Sequence, residues 1–212
     1  MSTYFETGKS FGVVTVMDID IYDYDESVET VATTPKAYYE AMQEKTPIGH
    51  IDHLQVATLS TEGPTLTING GKFNNALIKY GKTARCEMTD ALGNPDVLVA
   101  LGGAIMADGI LSITDKFRGP VTLIGDTFVV DEDSGKHVPV KVLMYKFLPD
   151  STPSFAFDSG NAATFDLNGD LLAIELGGET GDHFDDETCP DALGYFFSLV
   201  PSSCSVEEAS SN

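Results

Sequence analysis

Two Asp-Ser-Gly triplets, Asp133-Ser134-Gly135 and Asp158-Ser159-Gly160, are the residues in this chain whose types most readily suggest chemistry. Two carboxylates sharing a proton can activate water, as in an aspartic protease, and Asp158 follows the apolar stretch that ends at Phe157. That chemistry needs each carboxylate on a rigid loop beneath an apolar flap. Asp133 instead sits in a charged turn between Glu132 and Lys136, and turn formation is the better reading of both triplets. Asp166-Leu167-Asn168-Gly169-Asp170 sets oxygen ligands at alternate positions, as calcium loops do. Its glycine comes too early for an EF-hand loop and no closing Glu follows, so Asn168-Gly169 is expected to be a hairpin turn. The acidic run Asp182, His183, Asp185, Asp186 and Glu187 reads as a solvated loop. His50, His53, His137 and His183 have neither the spacing nor the neighbouring nucleophile that a catalytic base requires. Gly102-Gly103 follows helical residues instead of opening a helix, which argues against a phosphate loop. No catalytic, cofactor-binding or metal-ligating residue is assigned, and the expectation is a protein that is not an enzyme.

The elements that would position these residues are mainly strands. From Phe11 to Tyr24, Met17, Ile19 and Ile21 alternate with Asp18, Asp20 and Tyr22, the period of a half-buried strand with an acidic face. Thr34-Pro35 supplies a cap and a first helical proline for a short helix over Lys36 to Lys45, stopped by Pro47. Strands are expected over 54–59, 65–68 and 83–89, the last with Ala84, Cys86 and Met88 facing a core and Arg85 and Glu87 facing away. Asn94-Pro95 opens a second helix, expected to run from Pro95 to about Met106. Strands follow over 110–117, 121–130, 138–148, 154–158 and 163–174, separated by Gly, Pro and Asp-rich turns. Many short antiparallel strands with a flanking helix define a mainly β fold, an antiparallel β-sandwich or open barrel.

At 212 residues the chain can bury one ordinary core. Twelve Lys plus Arg against 33 Asp plus Glu give a net charge of −21, which excludes gripping nucleic-acid phosphate or coating an anionic membrane. Sign is also segregated: Lys72, Lys79, Lys82 and Arg85 fall in a stretch with no acid until Glu87, whereas no Lys or Arg follows Lys146. Opposite strips of this kind can bring two copies together, although solvated loops are the better reading of charge alone. The three cysteines, Cys86, Cys189 and Cys204, imply neither a disulfide framework nor a zinc module. The first ten residues lack the layout of a signal peptide, and there is no long apolar run, so no membrane insertion is expected. The domain reading is a β-domain over 1–176 and an acidic extension over 177–212 whose end, from Ser202, is expected to lack fixed structure.

The block Leu66-Thr-Ile-Asn-Gly-Gly-Lys-Phe-Asn-Asn-Ala-Leu-Ile-Lys-Tyr-Gly-Lys-Thr-Ala-Arg-Cys-Glu-Met-Thr-Asp-Ala-Leu92 resembles the tail tube (major tail) proteins of bacteriophages and prophages. The shared pattern is a Gly-Gly turn, an Asn-rich loop, a short apolar stretch, an alternating strand ending in Asp-Ala-Leu, and then a helix. Ser154 to Leu167 resembles the family's late hairpin, and the similarity in element order spans about Phe11 to Ile174. The resemblance implies a structural virion protein, made in the host bacterial cytoplasm, that hexamerises into rings stacking as a hollow tail tube. Tape-measure, tail-terminator and baseplate proteins are its implied partners, and DNA passes through without specific binding. On that reading Asp18, Asp20 and Asp166 line the lumen, and the loop Gly70 to Tyr80, with Gly70, Gly71, Lys72, Asn74, Asn75 and Lys79, makes subunit or ring contacts. The competing expectations are an aspartic-type hydrolase using Asp158 or Asp133 and a monomeric ligand-binding β-domain.

Overall fold

The structure, a computed structural model, describes residues 11–52, 54–62, 65–70, 74–79, 83–90, 95–115, 118–131, 137–150, 165–176 and 194–201. Its strands are β1 (Phe11–Asp23), β2 (Gly49–Ile51), β3 (Leu54–Glu62), β4 (Thr65–Gly70), β5 (Asn74–Lys79) and β6 (Thr83–Asp90). They continue with β7 (Ala104–Ala107), β8 (Ile110–Ile113), β9 (Val121–Asp131), β10 (His137–Pro149), β11 (Phe165–Leu171) and β12 (Phe197–Pro201). Three short helices join them: α1 (Glu26–Val31), α2 (Pro35–Gln43) and α3 (Pro95–Leu101). The fold is mainly β and antiparallel, with few helices.

Eight strands form one sheet in the order β2-β1-β9-β10-β11-β6-β3, with β12 also paired to β10. β10 shares one edge between two partners: Val140 to Met144 pair with β12, and Phe147 to Pro149 pair with β11. Ile19 and Ile21 of β1 share an apolar cluster with Ala84, Cys86 and Met88 of β6, although three strands separate β1 from β6 in the sheet. The sheet therefore curls back on itself as an open barrel. Register shifts between Val13 and Ile19 in β1 and between Met144 and Phe147 in β10 supply local bends, since an extra residue on one strand increases its twist. β1 and β3 approach across the open side, while β3 pairs with β6 among the described residues.

Both faces of this sheet are packed. Inside the curl lie Ile19, Leu123, Val142, Met144 and Phe147, and α3 plugs one end with Val97, Ala100 and Leu101. Gly49 of β2 allows that close approach, because a Cβ there would lie 3.2 Å from Ile21 and 3.3 Å from Ala100. On the outer face Tyr22, Ile124, Leu143 and Tyr145 pack beneath Tyr38 and Met42 of α2. Thr34 caps α2 by accepting from the Ala37 amide at 3.2 Å, with Pro35 opening the helix as the sequence indicates. Asp25 caps α1 through the Ser27 amide at 2.8 Å and also holds Lys45. Hydrogen bonding to Lys45, and then to Ser27, keeps the Asp25 carboxyl well below its ordinary range.

Four expectations need correction. Asn168-Gly169 is not a turn: both residues lie inside β11, opposite Glu87 and Cys86. Gly169 is required there because a Cβ would collide with the Leu148 carbonyl and the Phe147 ring. The helix from Pro95 ends at Leu101 instead of continuing to Met106. Gly103 adopts φ 64°, which breaks the helical run and turns the chain into β7. The strand expected over 110–117 closes at Ile113 as the second arm of a hairpin. Within 177–212, expected as an extension, residues 197–201 form β12 inside the main sheet and Val200 is buried.

Candidate functional site

Alternation in β1 places Asp18 and Asp20 opposite the buried Ile19 and Ile21, on the outer face of the sheet. Asp20 accepts a 2.7 Å contact with His50 Nδ1, its direct neighbour across the β1–β2 register. Two residues on, Tyr22 on the same face is buried, and its hydroxyl is pushed up to about 12 by that burial and then by the Asp20 charge. Further along, Lys141 pairs with Asp126 across β9 and β10. The outer face thus passes from an apolar patch under α2 to a strip of paired charges. Asp166 is brought to neither: it lies on β11, with its backbone opposite Thr89 of β6, and β9 and β10 stand between β11 and β1.

The loop expected at 70–80 is a hairpin. β4 and β5 pair from Thr65↔Lys79 to Gly70↔Asn74, so Gly70, Asn74, Asn75 and Lys79 occupy its two strands. Gly71 and Lys72 lie outside the described residues, as do Asp133 and Asp158. After the hairpin come the alternating strand β6 and the helix α3, in the order expected for the end of the 66–92 block, whereas the β4–β5 pairing stands where a loop and a short apolar stretch were expected. Ala84, Cys86 and Met88 of β6 are buried at 2%, 0% and 1% exposure.

Arg85 does not belong to an unopposed basic strip. Its guanidinium pairs with Asp150, with Asp170 at 3.2 Å and with Glu87 at 3.3 Å, and the Asp150 hydrogen bond raises its pKa first among these contacts. These bonds fasten β6 to β11 and to the end of β10 across the outer face. Arg118 is likewise held by Asp23 at 2.6 Å, and Lys146 sits 4.3 Å over the Tyr24 ring.

The feature that stands apart is the β7–β8 hairpin, which sequence reading missed. Asp108 and Gly109 have φ of 52° and 75°, the two positive values of a type I′ turn. An Asp-Gly pair between the apolar runs Ala104 to Ala107 and Ile110 to Ile113 is the signal that would have found it. Assigning Met106 to a helix concealed it. The base is pinned by Thr114, whose hydroxyl donates to the Gly103 carbonyl at 2.6 Å. Beyond Ala104 the arm leaves the body, and Ile105, Met106, Ile110, Leu111 and Ile113 are all exposed, Ile110 to 65%. Register puts Met106 and Leu111 on one face and Ala107 and Ile110 on the other, so the arm is apolar on both sides. Its sole charge is Asp108 at the tip. Contiguous exposed apolar surface of this kind marks a contact site for another molecule.

No family model matches the chain, and no curated protein matches it. Among solved structures, a chain described as "Virion of native gene transfer agent (GTA) particle" is similar at 12% identity and a TM-score of 0.32, covering 60% of this chain and 84% of that one. A likeness that slight carries no argument.

Proposed function

We propose that this chain is a structural subunit that assembles with copies of itself, forming hexameric rings stacked into the hollow tail tube of a virion. The observation that carries self-assembly is the β7–β8 arm, which presents five large apolar side chains to solvent from a pinned base. A chain of net charge −21 repels its own copies over most of its surface. The nearly uncharged arm is where that repulsion is least and apolar burial gains most. The tube reading adds the resemblance of the 66–92 block, whose strand-and-helix order the described residues follow. On this reading DNA crosses a lumen that offers it carboxylates, with Asp18, Asp20 and Asp166 as the lining residues. Tape-measure, terminator and baseplate proteins would meet the ends of the tube.

Light scattering against concentration tests the assembly. The wild type should grow from subunit to ring-sized and larger species. The double variant Ile105→Asp, Ile110→Asp should remain a monomer. Both side chains are at least half exposed, so each change should cost the fold no more than about 0.5 kcal/mol. Assembly of the double variant equal to wild type would remove the arm from the interface.

A further inference from the structure

A partly open apolar pocket of about 330 Å³ lies against the barrel core, lined among the described residues by the half-buried Ala57, Leu59, Phe197 and Leu199 over the buried Ile19, Cys86, Val142 and Met144. Native interiors pack as densely as organic crystals and leave few voids larger than a water molecule. A space this size lies instead within the range of sites that hold small molecules. Among the described residues of this lining the side-chain heteroatoms are the sulfurs of Cys86 and Met144, so an ordered water would find few of the two or more polar partners it needs.

We propose that this pocket binds one neutral, hydrocarbon-bodied small molecule. Size follows from volume: a 150 Å³ apolar cavity accepts benzene, so this one suits a body of roughly ten to twelve carbons. Neutrality follows from what surrounds the lining. Val142 and Met144 of β10 face inward, whereas Lys141 between Val140 and Val142 faces outward and pairs with Asp126. Arg85, beside Cys86, is turned to the outer face and held by Asp150 and Asp170. No described cation lines the cavity to meet a carboxylate or phosphate head, and the −21 net charge opposes an anion's approach. Entry is available where β1 and β3 approach without pairing among the described residues, since Ile19, Ala57 and Leu59 line both the pocket and that side. The site is separate from the β7–β8 arm and does not depend on the assembly reading.

The test uses 1-aminoanthracene, a neutral apolar fluorophore, titrated into the full chain and displaced by decan-1-ol or by decanoate. Saturable one-to-one binding is expected, with decan-1-ol displacing the probe at about tenfold lower concentration than decanoate. Ala57→Phe fills the cavity and should weaken binding by about a hundredfold while the circular dichroism is unchanged. Cys86→Leu, from the adjacent strand β6, should do the same and covers the case in which Ala57→Phe fails to fold. Ile105→Asp with Ile110→Asp should bind as wild type does, which separates the cavity from the exposed arm. The proposal is overturned by non-saturable binding or by full binding in a folded cavity-filling variant. It is equally overturned if decanoate competes as well as the alcohol, or if probe binding disappears with the arm variant.

Discussion

Tyr38, Thr122, Tyr145 and Ser198 form a hydrogen-bonded run through the outer core. Thr122 donates to the Tyr145 carbonyl at 2.8 Å, so its oxygen is left to accept from the Tyr38 hydroxyl at 3.1 Å. Tyr145 completes the run with a 2.7 Å contact to Ser198 of β12. The two tyrosine rings meet edge to face at 5.1 Å between centroids. Burial pushes both hydroxyls up to about 12, and pushes the Cys86 thiol up to about 12 as well. An unfolded tyrosine titrates near 10 and a cysteine near 8.5. Between those values and about 12 the unfolded chain therefore releases protons that the folded chain keeps. The stabilisation is complete below the unfolded pKa and is lost as pH rises, by about 1.4 kcal/mol per pH unit for each such group. Urea midpoints should fall steeply from pH 10 to 12. Tyr38→Phe should lower stability at neutral pH by about 1 kcal/mol and reduce the alkaline slope by one group's share. An unchanged slope in that variant would show that Tyr38 ionises as freely folded as unfolded.

Elements were legible where one local signal agreed with the packing. The β1 alternation, the Thr34-Pro35 cap of α2 and the inward Ala84, Cys86 and Met88 of β6 each needed only their own few residues. Asp108-Gly109 and Asn168-Gly169 show where local reading stops. Both pairs favour a turn, yet only the first has positive φ at both positions. The second is extended because β6 on one side and Phe147 on the other occupy the space a turn would need. Those neighbours are distant in sequence, and β12 is likewise recruited to β10 from across the chain. The candidate interface was illegible for a related reason: helical spacing from Val97 to Ile105 competed with the hairpin, and Gly103 decides the matter through its φ of 64°. Replacing Gly109, at φ 75° with open space around it, tests the arm as an element. Gly109→Val should cost about 1 to 2 kcal/mol through backbone strain alone. It should abolish assembly while leaving the circular dichroism of the barrel intact, and assembly at wild-type concentration would mean that the arm's shape is irrelevant.

The molecule as a whole sets a strong self-repulsion against an apolar projection whose sole charge is Asp108 at the tip. The described Lys45, Arg85, Arg118 and Lys141 are each paired to an acid, so they add no basic patch to draw copies together. Assembly should accordingly be favoured by salt, because raising ionic strength from about 0.01 M to about 0.15 M shortens the reach of charge repulsion from about 30 Å to about 8 Å. Contacts made mainly by opposite-sign strips would show the reverse dependence. Negative-stain electron microscopy of the purified chain at moderate salt tests the central claim most directly. Rings of uniform diameter with a central hole, stacking into tubes as concentration rises, are the predicted images. Isolated subunit-sized particles at every concentration and salt level would contradict it.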